Sequence, residues 1–138
     1  AEPQLDVVFG KTEYIFLDGS SPERFHFADD SRTVWNVLLG AGLFRTAVFE
    51  RVGRFNPELK IGEDSDWYNR AREQGVPIRT IDDVTLHYRH HDANYTRDPA
   101  LVQQTLLKAL KLSLDRRRAT GHVAPIPGFA DYRKPHDR

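Results

Sequence analysis

Apolar positions cluster early in two short bursts. Residues 5–9 (LDVVF) stop at Gly10, and residues 12–17 (TEYIFL) stop at Asp18-Gly19. Each burst has the length and the β-branched or aromatic content of a buried strand, and each ends on a turn signal. Residues 19–33 are polar and turn-rich and read as a long loop, of the length that often carries function. Residues 35–39 resume an apolar segment and lead into Gly40-Ala41-Gly42. Thr46 is placed to cap a short helix, TAVFERV, with Phe49 and Val52 on one face and Gly53 as its stop. After a loop over 54–62, a second helix is predicted from Glu63-Asp64 to Gln74. Acidic residues fill its first turn and Gly75 follows its end. Residues 76–81 predict a strand, Asp82-Asp83 a turn, and residues 84–91 (VTLHYRHH) another strand. Asp98-Pro99 pairs an N-cap with proline at the first helical position. The helix it opens runs to about Arg118, with Leu106, Leu107, Leu110 and Leu114 forming one apolar stripe. Gly121 ends it, and residues 122–138 read as an extended tail. Alternating strands and helices predict an α/β or α+β layer.

Composition narrows this picture. The 138 residues suit one compact domain, and 39% hydrophobic content with 8 Phe, 5 Tyr and 2 Trp supplies a core. With no Cys, disulfides, thiolate zinc sites, iron–sulfur clusters and thiol nucleophiles are excluded within the chain. No apolar run approaches a membrane span, so a cytoplasmic chain is expected, peripheral to a membrane at most. There is no Met, even at position 1, which fits a piece of a longer protein or simple removal of the initiator.

Lys plus Arg and Asp plus Glu each number 20, so the formal net charge is zero and a nucleic-acid partner gets no support. The charge is nevertheless uneven. Residues 1–68 carry 7 basic and 12 acidic groups, net −5, and residues 69–138 carry 13 basic and 8 acidic, net +5. Much of the excess lies near Arg116-Arg117-Arg118. A basic helix of this kind either touches acidic lipid head groups or places cations at the negative pole of its own dipole.

Three places could carry chemistry. Gly62-Glu63-Asp64-Ser65-Asp66-Trp67 crowds three carboxylates at a loop-to-helix junction. There the helix dipole can hold one ionised as a base or metal ligand, or simply cap the helix. In the strand over 84–91, alternation puts Val84, Leu86, Tyr88 and His90 on one face and Thr85, His87, Arg89 and His91 on the other. Two imidazoles flanking a guanidinium suit a phosphate or a metal–phosphate pair, and equally a solvated edge. Gly40-Ala41-Gly42 lets backbone approach a ligand, or makes a plain tight turn.

The order of these pieces is also familiar. Gly40-Ala41-Gly42-Leu43-Phe44-Arg45 is followed by Val48-Phe49-Glu50-Arg51-Val52-Gly53-Arg54-Phe55. Then come Gly62-Glu63-Asp64-Ser65-Asp66-Trp67, Arg70-Ala71, Gly75, Tyr88-Arg89-His90-His91 and Asn94-Tyr95-Thr96. This stretch resembles the second half of the catalytic domain of family 2 inverting glycosyltransferases, which have the GT-A fold. Asp6-Val7-Val8-Phe9-Gly10 looks like the family's strand just before that half. The resemblance implies an α/β fold, the C-terminal part of a GT-A mixed sheet with flanking helices. It divides the chain into a half-domain over 1–96, an amphipathic helix over 97–121 and a tail over 122–138.

The resemblance also implies roles. Asp64 would be the base that deprotonates an acceptor hydroxyl, and Glu63 would help shape the site. Asp66 and Trp67 would line the acceptor pocket, Trp67 offering a flat face to a sugar ring. Arg89, Gly40 and Gly42 would meet the donor diphosphate. His91, with His87 as second choice, would hold a divalent cation, Mn or Mg. The partners would be a nucleotide-diphospho-sugar donor and a carbohydrate or lipid-linked acceptor.

Two departures matter. No Asp-x-Asp precedes Asp64-Ser65-Asp66, and Arg54 stands where the family often has a second Gly. The chain therefore looks like a C-terminal portion, expected to be inactive alone and to associate through an exposed sheet edge. Two other readings stay open. One is a metal-dependent hydrolase using His87, His91 and Asp64, although no compact ligand motif is present. The other is a non-catalytic interaction module.

Overall fold

The computed structural model describes residues 5–17, 32–91, 93–94, 98–121 and 125–132. The 19–33 loop, apart from Arg32 and Thr33, lies outside the described residues, as do Tyr95 and Thr96. Among the described residues, four strands and three α-helices follow in the order β1 (Val7–Phe16), β2 (Thr33–Val34), β3 (Gly42–Phe44), α1 (Thr46–Val52), α2 (Glu63–Glu73), β4 (Ile78–His90) and α3 (Pro99–Thr120). The chain is thus a mixed α/β fold. β1 is the hub of the sheet, pairing antiparallel with β2 and β3 and parallel with β4. A strand has two edges. β3 meets Val7 to Phe9 and β2 meets Thr12 and Glu13, so they share one edge, while β4 runs along the other. The parallel pair requires a long crossover, and α1 and α2 lie within it. Among the described residues β4 pairs with β1 alone, so its outer edge is open.

The two predicted N-terminal strands are one. Gly10 does not end β1; it marks a shift of register between Phe9 and Lys11 against β4. A Cβ at Gly10 would lie 2.4 Å from the Thr85 side chain and 2.7 Å from the Asp83 carbonyl, so only glycine lets the strands approach there. The same irregularity absorbs Asp82-Asp83, and β4 runs straight through the predicted turn.

Val7 and Phe9 of β1 and Ile78 of β4 turn one sheet face onto α1 and α2. They meet Val48, Val52, Trp67, Tyr68 and Ala71 in a single core. Trp67 is its centre, fully enclosed, with Phe44 and Phe49 rings 5.4 and 5.1 Å away and its indole N–H donating to the Gly53 carbonyl at 2.9 Å. Gly53 closes α1 as expected, at φ 88°. Thr46 is not the cap: it is already the first helical residue, and Arg45 precedes it without a side-chain capping bond.

α3 packs on α2, and an ion network fixes how. Asp66, only 2% exposed, accepts from Arg70 Nε at 3.0 Å and from Arg116 Nη1 at 2.8 Å. Arg116 also grips Glu73 with Nε and Nη2 at 2.8 and 3.1 Å, while Arg70 donates to the carbonyls of Val52 and Arg54 at 2.7 Å each. A buried carboxylate is tolerable only when so partnered. Arg116→Ala is therefore expected to cost about 3 kcal/mol in denaturant unfolding, the low end for stripping one partner from a buried ion pair because Arg70 still holds Asp66. A loss under about 1 kcal/mol, the value of a surface pair, would contradict that account.

The network also sets the rotation of α3. Ala109 and Ser113 face inward, 1% and 4% exposed, and the leucine stripe faces out. The tail over 122–138 is not simply extended. Residues Phe129–Tyr132 form a 3-10 turn, Tyr132 packs on the core, and Arg72 donates to the Pro127 carbonyl at 2.6 Å.

Candidate functional site

Asp64 stands in the first turn of α2, behind Gly62 in the left-handed conformation at φ 78°. Its carboxylate is partly buried, and Oδ1 accepts the Ser65 backbone N–H at 2.7 Å. Burial pushes its pKa above the ordinary 3.8; the Ser65 N–H pulls it back, and the neighbouring Glu63 carboxylate raises it again. Asp64 and Glu63 line a hollow of about 390 Å³ together with Leu39, Gly40, Phe55, Leu86 and Tyr88. That volume is in the range of small-ligand sites.

The hollow is built on anchored elements. Thr85 donates its hydroxyl to the Ala41 carbonyl at 2.8 Å and so fixes the turn that carries Gly40 to β4. The indole of Trp35 donates to the Ile81 carbonyl at 2.9 Å. Next to the wall, Asn36 donates to the Tyr14 hydroxyl at 2.9 Å and accepts from the Thr12 hydroxyl at 2.9 Å. The Tyr14 and Tyr88 rings meet at 5.4 Å. Burial raises the Tyr14 pKa, and the charge of Asp64 adds to that rise, so this phenol stays neutral beside the carboxylate. Asn94 donates to the Tyr88 hydroxyl at 3.1 Å and accepts the His91 backbone N–H at 2.9 Å, joining the end of β4 to the hollow.

The expected site residues divide sharply. Glu63, Asp64 and Gly40 come together here. Trp67 does not: a fully enclosed indole has no face for a sugar, and its role is in the core. Asp66 does not either, because both its oxygens are committed to Arg70 and Arg116. Gly42 is small for a packing reason. A Cβ there would lie 2.6 Å from the Phe44 ring and 2.9 Å from Phe9, so the space serves those rings rather than a ligand.

The alternation predicted over 84–91 holds from Leu86 on: Leu86 and Tyr88 are partly buried and His90 is buried, while His87, Arg89 and His91 are exposed. It fails at Val84, which is 41% exposed, because the β1–β4 register shifts between Val84 and Leu86. Since Leu86 and Tyr88 line the hollow, His87 and Arg89 lie on the opposite sheet face from Asp64. His87 Nε2 is 3.1 Å from a Glu13 carboxylate oxygen across the β1–β4 pair. His91 Nδ1 accepts the Ala93 backbone N–H at 3.2 Å, which leaves the ring proton on Nε2. No group of three His, Asp or Glu that could hold an ion is present among the described residues.

Phe55 and Tyr88 were not singled out as site residues. Tyr88 was reachable, since it shares the Leu86 face of its strand. Phe55 lies in a loop, and only the fold brings it beside Asp64.

The raised pKa of Asp64 predicts a stability effect. An unfolded Asp ionises near its ordinary 3.8, whereas the folded one holds its proton to higher pH. The folded state is therefore penalised as pH rises through that window and remains penalised above it. Asp64→Asn should raise Tm by a few degrees at neutral pH, and the gain should vanish below pH 3.8, which thermal melts across pH can check. A variant less stable than the wild type at neutral pH would reverse the sign of this account.

No helix among the described residues is long and apolar enough to cross a membrane. Compared with family models, with curated proteins and with solved structures, the chain matches none.

Proposed function

We propose that the hollow beside Asp64 is the acceptor side of an inverting glycosyltransferase, and that this chain supplies the base. One observation carries the reading: a partly buried carboxylate with a raised pKa, oriented by a backbone N–H, on the wall of a hollow that also presents aromatic side chains. Base catalysis wants a pKa moved from its ordinary value toward the working pH, and burial supplies that direction here. Phe55, 43% exposed and lining the hollow, takes the sugar-stacking role that the sequence resemblance gave to Trp67.

In this reaction the acceptor hydroxyl oxygen attacks the anomeric carbon of the donor as Asp64 takes its proton. The bond from that carbon to the diphosphate breaks, the electron pair leaves with the diphosphate, and configuration inverts. Glu63 holds negative charge next to Asp64 and supports its basicity. The donor-side roles of Arg89 and His91 rest on the sequence resemblance alone, and no step depends on a metal.

The test incubates the protein, in the longest form its gene encodes, with a panel of nucleotide sugars and acceptors in the presence of Mn²⁺. Released nucleoside diphosphate is measured against an Asp64→Asn control. Diphosphate release that requires both an acceptor and Asp64 supports the reading. Release unaffected by Asp64→Asn overturns the assignment of the base. Absence of release with every donor, alongside hydrolysis of simple phosphate esters, favours the hydrolase reading instead.

A further inference from the structure

A second opening, a groove of about 410 Å³, lies between residues 58–61 and the first turns of α3. Leu101, Gln104, Thr105 and Lys108 recur at the spacing of one helix face and form one wall. Leu59, which is buried, and Ile61, which is half-buried, belong to the other. The two sides meet where Thr105 packs on Gly62: a Cβ at Gly62 would lie 2.5 Å from the Thr105 methyl. One residue of the chain separates this groove from the hollow, since Ile61 lines the first and Glu63 the second.

The two openings differ in charge. The hollow is lined by the carboxylates of Glu63 and Asp64 and by no Lys, Arg or His among the described residues. The groove is lined by Lys60 and Lys108 against one acid, Glu58, and neither lysine has an ion pair among the described residues. An apolar slot with spare cations fits a chain that ends in an anion.

We propose that the groove takes the apolar, anionic tail of the acceptor, so that the acceptor is a sugar carried on a lipid phosphate rather than a free sugar. This rests on the reading of the hollow as the acceptor side. Charge sets the direction of such a molecule. Its neutral sugar goes to the two carboxylates, which repel the phosphate. The phosphate meets Lys60 and Lys108, and the chain beyond it buries against Leu59, Ile61 and Leu101. A free sugar has no apolar surface to place there and no charge for the lysines.

Calorimetric titration of the longest form the gene encodes tests the groove without turnover. The probe is decyl phosphate, with decanol and inorganic phosphate supplying chain and charge alone. Decyl phosphate should bind about tenfold tighter than decanol, the gain expected from two exposed charge pairs. Lys60→Gln/Lys108→Gln should reduce it to the level of decanol, and Leu101→Glu should weaken both. These three side chains are exposed, so Tm should hold. Leu107→Gln/Leu110→Gln, on α3 but outside the groove, should leave binding unchanged. Equal binding of decyl phosphate and decanol, binding of neither, or wild-type binding in the lysine variant overturns the proposal. So does binding that only the Leu107/Leu110 variant loses. In the transfer assay, a sugar on decyl phosphate should show a lower KM than the free sugar, and the lysine variant should erase that advantage at unchanged kcat; equal KM values overturn the proposal. Lysine-dependent binding with no donor consumed, whatever the acceptor, supports the groove as a site for an anionic amphiphile and overturns the reading of the hollow instead.

Discussion

In the longest form its gene encodes, replacing Asp64 by Asn is expected to lower kcat on the order of 10²–10⁴-fold while leaving donor binding unchanged. A sugar hydroxyl is a weak nucleophile, and its proton must leave as the new bond forms. The base must be ionised at the working pH and held against the hydroxyl. On the proposed reading Asp64 is that base. The Ser65 N–H at 2.7 Å fixes one oxygen, and the first-turn position on α2 favours the ionised form even as burial raises the pKa. Asn keeps the shape and the acceptor capacity toward Ser65 but cannot take a proton. The pH profile adds an independent readout. Wild-type kcat/KM should rise with pH through the Asp64 pKa, and Asp64→Asn should lose that acidic limb. Retention of more than about a tenth of wild-type kcat, far outside the range for a lost base, would shift the role to Glu63.

Elements with strong local signals were legible in the sequence. Asp98 caps α3 and accepts from the N–H groups of Ala100 and Leu101 at 2.9 and 3.3 Å, as the Asp-Pro pair announces. The start of α2 at Glu63 was legible for the same reason, an acidic first turn. Where the reading failed, the deciding interaction was long-range. Gly10 and Asp82-Asp83 are local breakers, yet β1 and β4 pair through them because each irregularity sits opposite the other. No window of a few residues contains that fact.

The buried face of α3 was not legible in the sequence. Its leucine stripe satisfies the amphipathic rule, but Arg116 reaching Asp66 and Glu73 rotates small Ala109 and Ser113 toward α2 instead. The buried partner of a helix is a property of two helices, and periodicity in one cannot name it. The candidate site shows the same division. Asp64 was visible from its junction, whereas Phe55 lines the hollow only because the fold sets the loop after α1 against Trp67.

Trp67 supplies the sharpest contrast between motif and environment, and Trp67→Ala is expected to cost about 3–5 kcal/mol of stability. The spacing of Trp67, Tyr68 and Ala71 already describes an inward helix face, and all three are buried. Removing the indole opens a cavity among Phe44, Phe49 and Phe55 and strips the Gly53 carbonyl of its donor at 2.9 Å. Against a typical domain stability of about 5–15 kcal/mol, that loss brings the chain close to unfolding. Trp67→Phe separates the two contributions: it keeps most of the ring volume and gives up the hydrogen bond, for about 1–3 kcal/mol. Denaturant unfolding of both variants tests the assignment, with the alanine variant expected to lose clearly more than the phenylalanine one. A stacking platform for a sugar would behave otherwise. Its alanine variant would keep the wild-type denaturation midpoint and raise only the acceptor KM, and that result would return Trp67 to the surface of the site. The core account places the KM effect at Phe55 instead: it is 43% exposed on the hollow's side, and Phe55→Leu should raise acceptor KM with little change in Tm.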